Sequence, residues 1–182
     1  MGAIYELLKD MKLPKMVRAR QRFSKERLVD VGKALKNEFA RPGIADTIQP
    51  GMRIAITAGS RGIAGIDTIT KGIVELCYAR RATPFIVAAM GSHGGASKEG
   101  QREVLEGYGI TEKRMGCPVL TDMDVVKLCE LPDGAPVMMD KNAAAADGII
   151  VVNRVKAHTS FRGDYESGLI KMMAIGLGKQ SG

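Results

Sequence analysis

Hydrophobic and polar positions follow two different rhythms along this chain. Residues 16–23 alternate strictly, with Val17, Ala19, Gln21 and Phe23 on one side and Arg18, Arg20 and Arg22 on the other. A period of two predicts a strand with one buried face. Ser24 has the chemistry of an N-cap, and Leu28, Val31, Leu35 and Phe39 space out as one face of a helix over residues 25–39. Arg41-Pro42-Gly43 ends that helix. From Gly51 the apolar residues come in short unbroken runs: MRIAITA (52–58), PFIVAAM (84–90) and GIIVVNRV (148–155). Such runs predict strands buried on both faces. Between them the helical period returns over residues 67–81, with Ile69, Ile73, Leu76 and Cys77 on one stripe. It returns again over 98–108, where Ser97 is the N-cap and Gly109 the C-cap. Residues 117–130 predict one or two shorter strands, Pro132-Asp133-Gly134 a turn, 142–147 a short helix and 166–177 a last helix.

Strand, Gly-rich loop, helix, repeated, is the pattern of an open, mainly parallel sheet with crossover helices. The expected fold class is therefore α/β, Rossmann-like, with the N-terminal strand and helix as an accessory segment. At 182 residues the chain has room for one such domain with a real core, and no Ser/Pro-rich linker divides it. A hydrophobic content of 45% lets the chain bury enough surface to fold, which excludes disorder as its whole character.

No run approaches the roughly 18 apolar residues that span a bilayer, so no membrane partner is expected. Cys77, Cys117 and Cys129 are odd in number and lack a CxxC spacing, which argues against a disulfide scaffold, a zinc ribbon or an iron–sulfur site. Free thiols fit a reducing compartment, and the expected location is the cytoplasm. The net charge of +7 is uneven: residues 1–27 hold eight Lys/Arg against three Asp/Glu, leaving 19 against 17 in the rest. A basic arm could touch nucleic acid. A nearly neutral body, no Trp and 4% aromatics count against that partner.

Open parallel sheets bind ligands at the carboxyl ends of their strands. Three loops begin at such ends: 57–65, 88–97 and 152–163. The chain has two histidines, and both fall on this rim, His93 in the second loop and His158 in the third. Gly-rich turns beside helix starts expose backbone N–H groups that favour phosphate or carboxylate. Arg61, next to Ser60, adds a guanidinium that can grip an oxyanion through two hydrogen bonds. Tight strand-to-helix turns alone also call for such glycines. Neither GxxxxGK[ST] nor GxGxxG is present, so neither a phosphate-loop nor a dinucleotide fingerprint is met. Lys171 lies within an apolar helical pattern beside Leu169, Met172, Met173 and Ile175. A lysine there is either snorkelling or, if desolvated, a nucleophile.

Four blocks taken in order, GSRGI (59–63), GSHGGAS (91–97), VVNRVKAHTSFRG (151–163) and ESGLIKMMAIGLGK (166–179), resemble the N-terminal domain of the nickel-dependent lactate racemase family. The resemblance runs from about residue 12 to the end of the chain and implies an isomerase, a 2-hydroxy-acid racemase or epimerase. It implies hydride transfer between the substrate's α-carbon and a nickel-pincer nucleotide tethered to a lysine. On it, His93 and His158 match the two histidines that act as acid and base at the hydroxyl. Lys171 matches the tether, and Arg61 an arginine near substrate or cofactor. Ser60, Ser167 and Gly168 fall in the matching cofactor-binding blocks. Ala58 stands where the racemases carry an aspartate. Family members are longer and close the site with a C-terminal domain that carries the nickel-ligating histidine, so no metal ligand is assigned to this chain. A half of that kind is expected to be inactive alone, and its exposed domain interface leaves a homo-oligomer open. The alternative reading is a non-catalytic module that binds a nucleotide or an anionic metabolite.

Overall fold

The computed structural model of the chain describes residues 2–12, 14–158, 160 and 162–182. Four strands form a parallel sheet in the order β3-β2-β1-β6. They are β1 (Arg53–Ala58), β2 (Thr83–Ala88), β3 (Val119–Leu120) and β6 (Gly148–Ile150). A separate antiparallel pair is made by β4 (Val125–Glu130) and β5 (Pro136–Asp140). The mainly parallel α/β class predicted from the apolar runs is the one observed.

The runs are unbroken because both faces are covered. Ile54, Ile56 and Ala58 of β1 join Ile86 and Ala88 of β2 in one core, with Ile73, Val74 and Cys77 of α3 (Ile66–Ala79) and Leu105 of α4 (Lys98–Gly107). Ala55, Phe85 and Val87 face the other way. They pack with Ala143 of α6 (Lys141–Ala144) and with Met172 and Leu177 near the C-terminus. Burying residues of this size stabilises by about 1.5–3 kcal/mol each, so these central strands carry much of the fold. Ser97 Oγ accepts from the Gly100 N–H at 3.1 Å, capping α4 as its sequence predicts. A fifth helix, α5 (Glu112–Met115), leads into β3.

The N-terminal segment departs from expectation. After α1 (Ala3–Leu8), the described residues 9–29 contain no helix or strand. The strand predicted at 16–23 does not form: Val17 is 86% and Phe23 73% exposed. Alternation specifies a strand only where its hydrogen bonds are taken up by a neighbouring edge, and residues 16–23 pair with none of the described strands. The following helix, α2 (Val31–Phe39), starts six residues later than Lys25, because Asp30 and not Ser24 is its cap. Asp30 Oδ1 accepts from the Lys33 N–H at 2.8 Å. Leu35 and Phe39 then pack on the core as predicted.

β6 is also shorter than predicted. Asp147 and Arg53 fix its start, through Asp147 N–H to Arg53 O at 2.9 Å and Arg53 N–H to Asp147 Oδ2 at 2.7 Å. Beyond Ile150 the ladder ends and the buried Thr57 side chain takes over, its Oγ1 accepting from Val152 N–H at 2.9 Å. The strand thereby peels away from β1 and opens a space between them. The last helix begins at Leu169 rather than Glu166, because Gly168 adopts φ 83° and ψ −144°. It runs as α7 (Leu169–Lys171) and continues as a π-helical turn over Met172–Gly176.

Among the described residues, no helix is long and apolar enough to cross a membrane. All three cysteines are free; Cys77 and Cys117 are buried and Cys129 is exposed. Burial pushes both buried thiols up to about 11 from 9.0. Folded thiols therefore hold protons that unfolded ones release, so these two stabilise the fold below pH 9.0 and that contribution is lost as pH rises towards 11. Since the thiolate is the nucleophile, iodoacetamide at pH 8 should add one group per native chain, at Cys129, and three in denaturant, read by intact mass. Alkylation of Cys77 or Cys117 in the native chain would contradict this packing.

Candidate active site

The strand order reverses direction at β1: the chain steps outward to β2 and β3, then returns to place β6 on the other side. Ligand crevices form outside the carboxyl ends of strands at such a point. A cavity of about 550 Å³ lies there. Its walls come from the loop after β1 (Gly59–Gly62), the loop after β2 (Ala89, Met90, His93), the segment after β6 (Asn153–His158) and one face of the last helix (Lys171, Met172, Ile175, Gly176).

Of the residues predicted from sequence, Ser60, Arg61, His93, His158, Ser167 and Lys171 all line this one cavity. Gly168 is buried behind the wall, and its carbonyl accepts from Asn153 Nδ2 at 2.5 Å. Thr159 and Phe161, within the third predicted block, lie outside the described residues. Four cationic side chains, Arg61, Arg154, Lys156 and Lys171, face the space, and no carboxylate joins them among the described lining residues. An anionic ligand is the occupant such a wall favours.

Each histidine is held by a different device. The His93 loop turns through Gly91, Gly94 and Gly95, all at positive φ. Gly94 and Gly100 meet so closely that a Cβ on Gly100 would lie 2.0 Å from Gly94 O; only glycine permits this approach of the loop to α4. From α4 the buried Gln101 donates through Nε2 to Gly91 O at 2.8 Å and to His93 O at 3.2 Å. The His93 ring pairs through Nδ1 with Ser60 Oγ. Ser60 is in turn fixed by Tyr108, whose hydroxyl donates to Ser60 O at 2.8 Å.

His158 sits in a loop folded around Glu166. The Glu166 carboxylate accepts from His158 N–H at 3.0 Å and from Gly163 N–H at 3.2 Å. The Arg162 guanidinium donates to His158 O at 2.8 Å. The Ser160 N–H donates to His158 Nδ1 at 3.2 Å, which puts the neutral ring's own proton on Nε2. Sequence reasoning missed Glu166, Gln101 and Tyr108 as organisers of the histidine loops. A Glu eight residues past a rim histidine carries no motif, so only the fold reveals its part.

Of the two readings left open for Lys171, the desolvated one is not met: its side chain is exposed on the cavity wall. The buried lysine is Lys179, 1% exposed, with Nζ 3.0 Å from Asp140 Oδ2 and donating to Ala88 O at 2.5 Å. Helical spacing could not separate the two, because the helix ends at Gly176 and Lys179 lies in a 3₁₀ turn.

A four-stranded parallel sheet with a cationic, histidine-bearing crevice at its switch point defines an α/β protein whose crevice suits a small anionic ligand. Residues 6–181 match the lactate racemase N-terminal domain family, and the chain belongs to it. No curated protein matches the chain.

Proposed function

We propose that this chain is the base-bearing half of a 2-hydroxy-acid racemase or epimerase that uses a nickel-pincer nucleotide tethered to Lys171. The observation that carries the proposal is the meeting of both histidines and Lys171 on one cavity, although they come from three separate segments of the chain.

The residues present fit the group. Lys171 offers an exposed amine on the wall, and Arg61, Arg154 and Lys156 offer positive charge for a phosphate and carboxylates without a competing acid among the described lining residues. On the family resemblance, the nickel is carried by the nucleotide. When bound, the group would supply a hydride acceptor for the substrate's α-carbon.

The chain's own residues do the rest. Arg61 binds the substrate carboxylate, and its planar fork fixes the orientation of the α-carbon. An α-hydroxyl is barely acidic, so its proton must be taken as the hydride leaves, and an imidazole with an ordinary pKa of about 6.5 suits that task. Histidines from the second and third loops serve the two enantiomers from two sides. On the family resemblance, a C-terminal domain closes the cavity and excludes water. A reducing, cytoplasmic setting accords with the free cysteines.

The test is to produce the chain together with a nickel-pincer biosynthetic system, then measure intact mass and nickel and map the peptide containing Lys171. A nucleotide-sized adduct on Lys171 with about one nickel per chain is expected, and neither in Lys171→Arg. If the unmodified chain carries no adduct and no nickel, the racemase reading falls. The cationic wall then favours the second reading, a module that binds a nucleotide or anionic metabolite without turnover.

A further inference from the structure

Ser60 stands in the loop after β1 and His93 in the loop after β2, and the two line the same cavity. Their side chains meet, Ser60 Oγ against His93 Nδ1. Both partners are anchored from one element: Gln101 of α4 holds the His93 carbonyl, and Tyr108, just past α4, holds the Ser60 carbonyl. With Nδ1 engaged, Nε2 is the ring nitrogen left for a ligand. We propose that Ser60 is a positioning residue for His93: its hydroxyl accepts from Nδ1–H, fixing the ring's orientation and leaving the lone pair on Nε2 for the substrate's proton. This rests on the reading of His93 as a proton-transferring histidine.

At His158 the Ser160 backbone N–H donates to Nδ1 at 3.2 Å, with the Ser160 hydroxyl 3.3 Å from the same nitrogen, and a backbone N–H can only donate. A hydroxyl both donates and accepts, so Ser60 keeps its bond to His93 whether the ring is neutral with its proton on Nδ1 or doubly protonated after taking a second at Nε2. A serine hydroxyl directed at a rim histidine also explains why this residue is half-buried while its neighbour Arg61 is exposed.

The experiment needs no nickel, nucleotide or substrate. The chain has two histidines, so ¹⁵N-histidine labelling gives two rings to assign, and the nitrogen shifts of each neutral ring report which atom carries its proton. His93 is expected to be protonated at Nδ1. Ser60→Ala should move both His93 nitrogens towards the averaged values of a ring exchanging between tautomers, Ser60→Thr should restore them, and His158 should stay protonated at Nε2 throughout. Ser60→Gly removes the same hydroxyl and supplies the reading if the alanine variant does not fold. A His93 ring that is unchanged in Ser60→Ala, averaged in the unmodified chain, or protonated at Nε2 would overturn the assignment. In nucleotide-loaded protein, Ser60→Ala should lower kcat about tenfold with KM within about twofold, the size expected for one lost hydrogen bond that orients a base. Should loaded protein, closed by its C-terminal domain, racemise nothing in any form, the racemase reading fails while the tautomer result stands or falls separately.

Discussion

With the cavity closed by the C-terminal domain, alanine at His93 is expected to lower racemisation of the cognate 2-hydroxy acid by about 100- to 10,000-fold, the usual contribution of a positioned acid or base. The adduct on Lys171 should be retained, because His93 and Lys171 come from different walls of the cavity. Loss of optical purity, followed from each enantiomer separately, checks the point. His158→Ala should cost a similar factor, but with the larger loss in the opposite direction of turnover at the level of the half-reaction. Equal activity of His93→Ala and the unmodified protein, both fully loaded, would remove His93 from the chemistry.

The largest effect on stability should come from Lys179. Its side chain is fully buried against Asp140 Oδ2 and the Ala88 carbonyl, while Asp140 Oδ1 also caps α6 by accepting from Ala143 N–H at 2.8 Å. Lys179→Ala leaves an uncompensated carboxylate in the core and should cost about 3–5 kcal/mol. The unfolding midpoint in urea should fall with little change in slope. Lys171→Ala, at the third residue of the preceding helix and exposed, should stay within about 0.5 kcal/mol. A paired replacement, Lys179→Met with Asp140→Leu, should recover much of the loss, since removing both charges is far less costly than removing one. If Lys179→Ala and Lys171→Ala proved equally mild, the buried pair would not be holding the C-terminal turn to the sheet.

The two lysines also mark how far the sequence could be read. β1 and β2 were legible because their apolar runs are buried on both faces, and the loops after them because glycine clusters and the Ser97 cap announce a strand-to-helix turn. Those features placed the rim and its histidines. β5 was not legible: Pro136 opens it and Val137-Met138-Met139 shows no alternation, since it pairs on one side with β4 and packs on the other against the C-terminal turn. The strand expected at 16–23 failed for the opposite reason, a sound pattern that joins no edge. Lys171 stayed open between a snorkelling and a desolvated side chain, because helical spacing says which residues share a face but not whether that face meets core or cavity. Ser60 was read as part of an anion-binding loop; its pairing with His93 spans 33 positions and no local pattern encodes it.

The strand order has a kinetic consequence. β1 meets β2 after one short crossover, whereas β6 reaches β1 only when Ile54 finds Gly148. Closing a loop of that length costs more chain entropy and is slower than closing the first. Two walls of the cavity, the His158 loop and the Lys171 helix, follow β6 in the chain. A folding molecule therefore owns a hydrophobic nucleus long before it owns a binding site, and the His93 loop spends that interval facing water with the other half of its chemistry still unassembled.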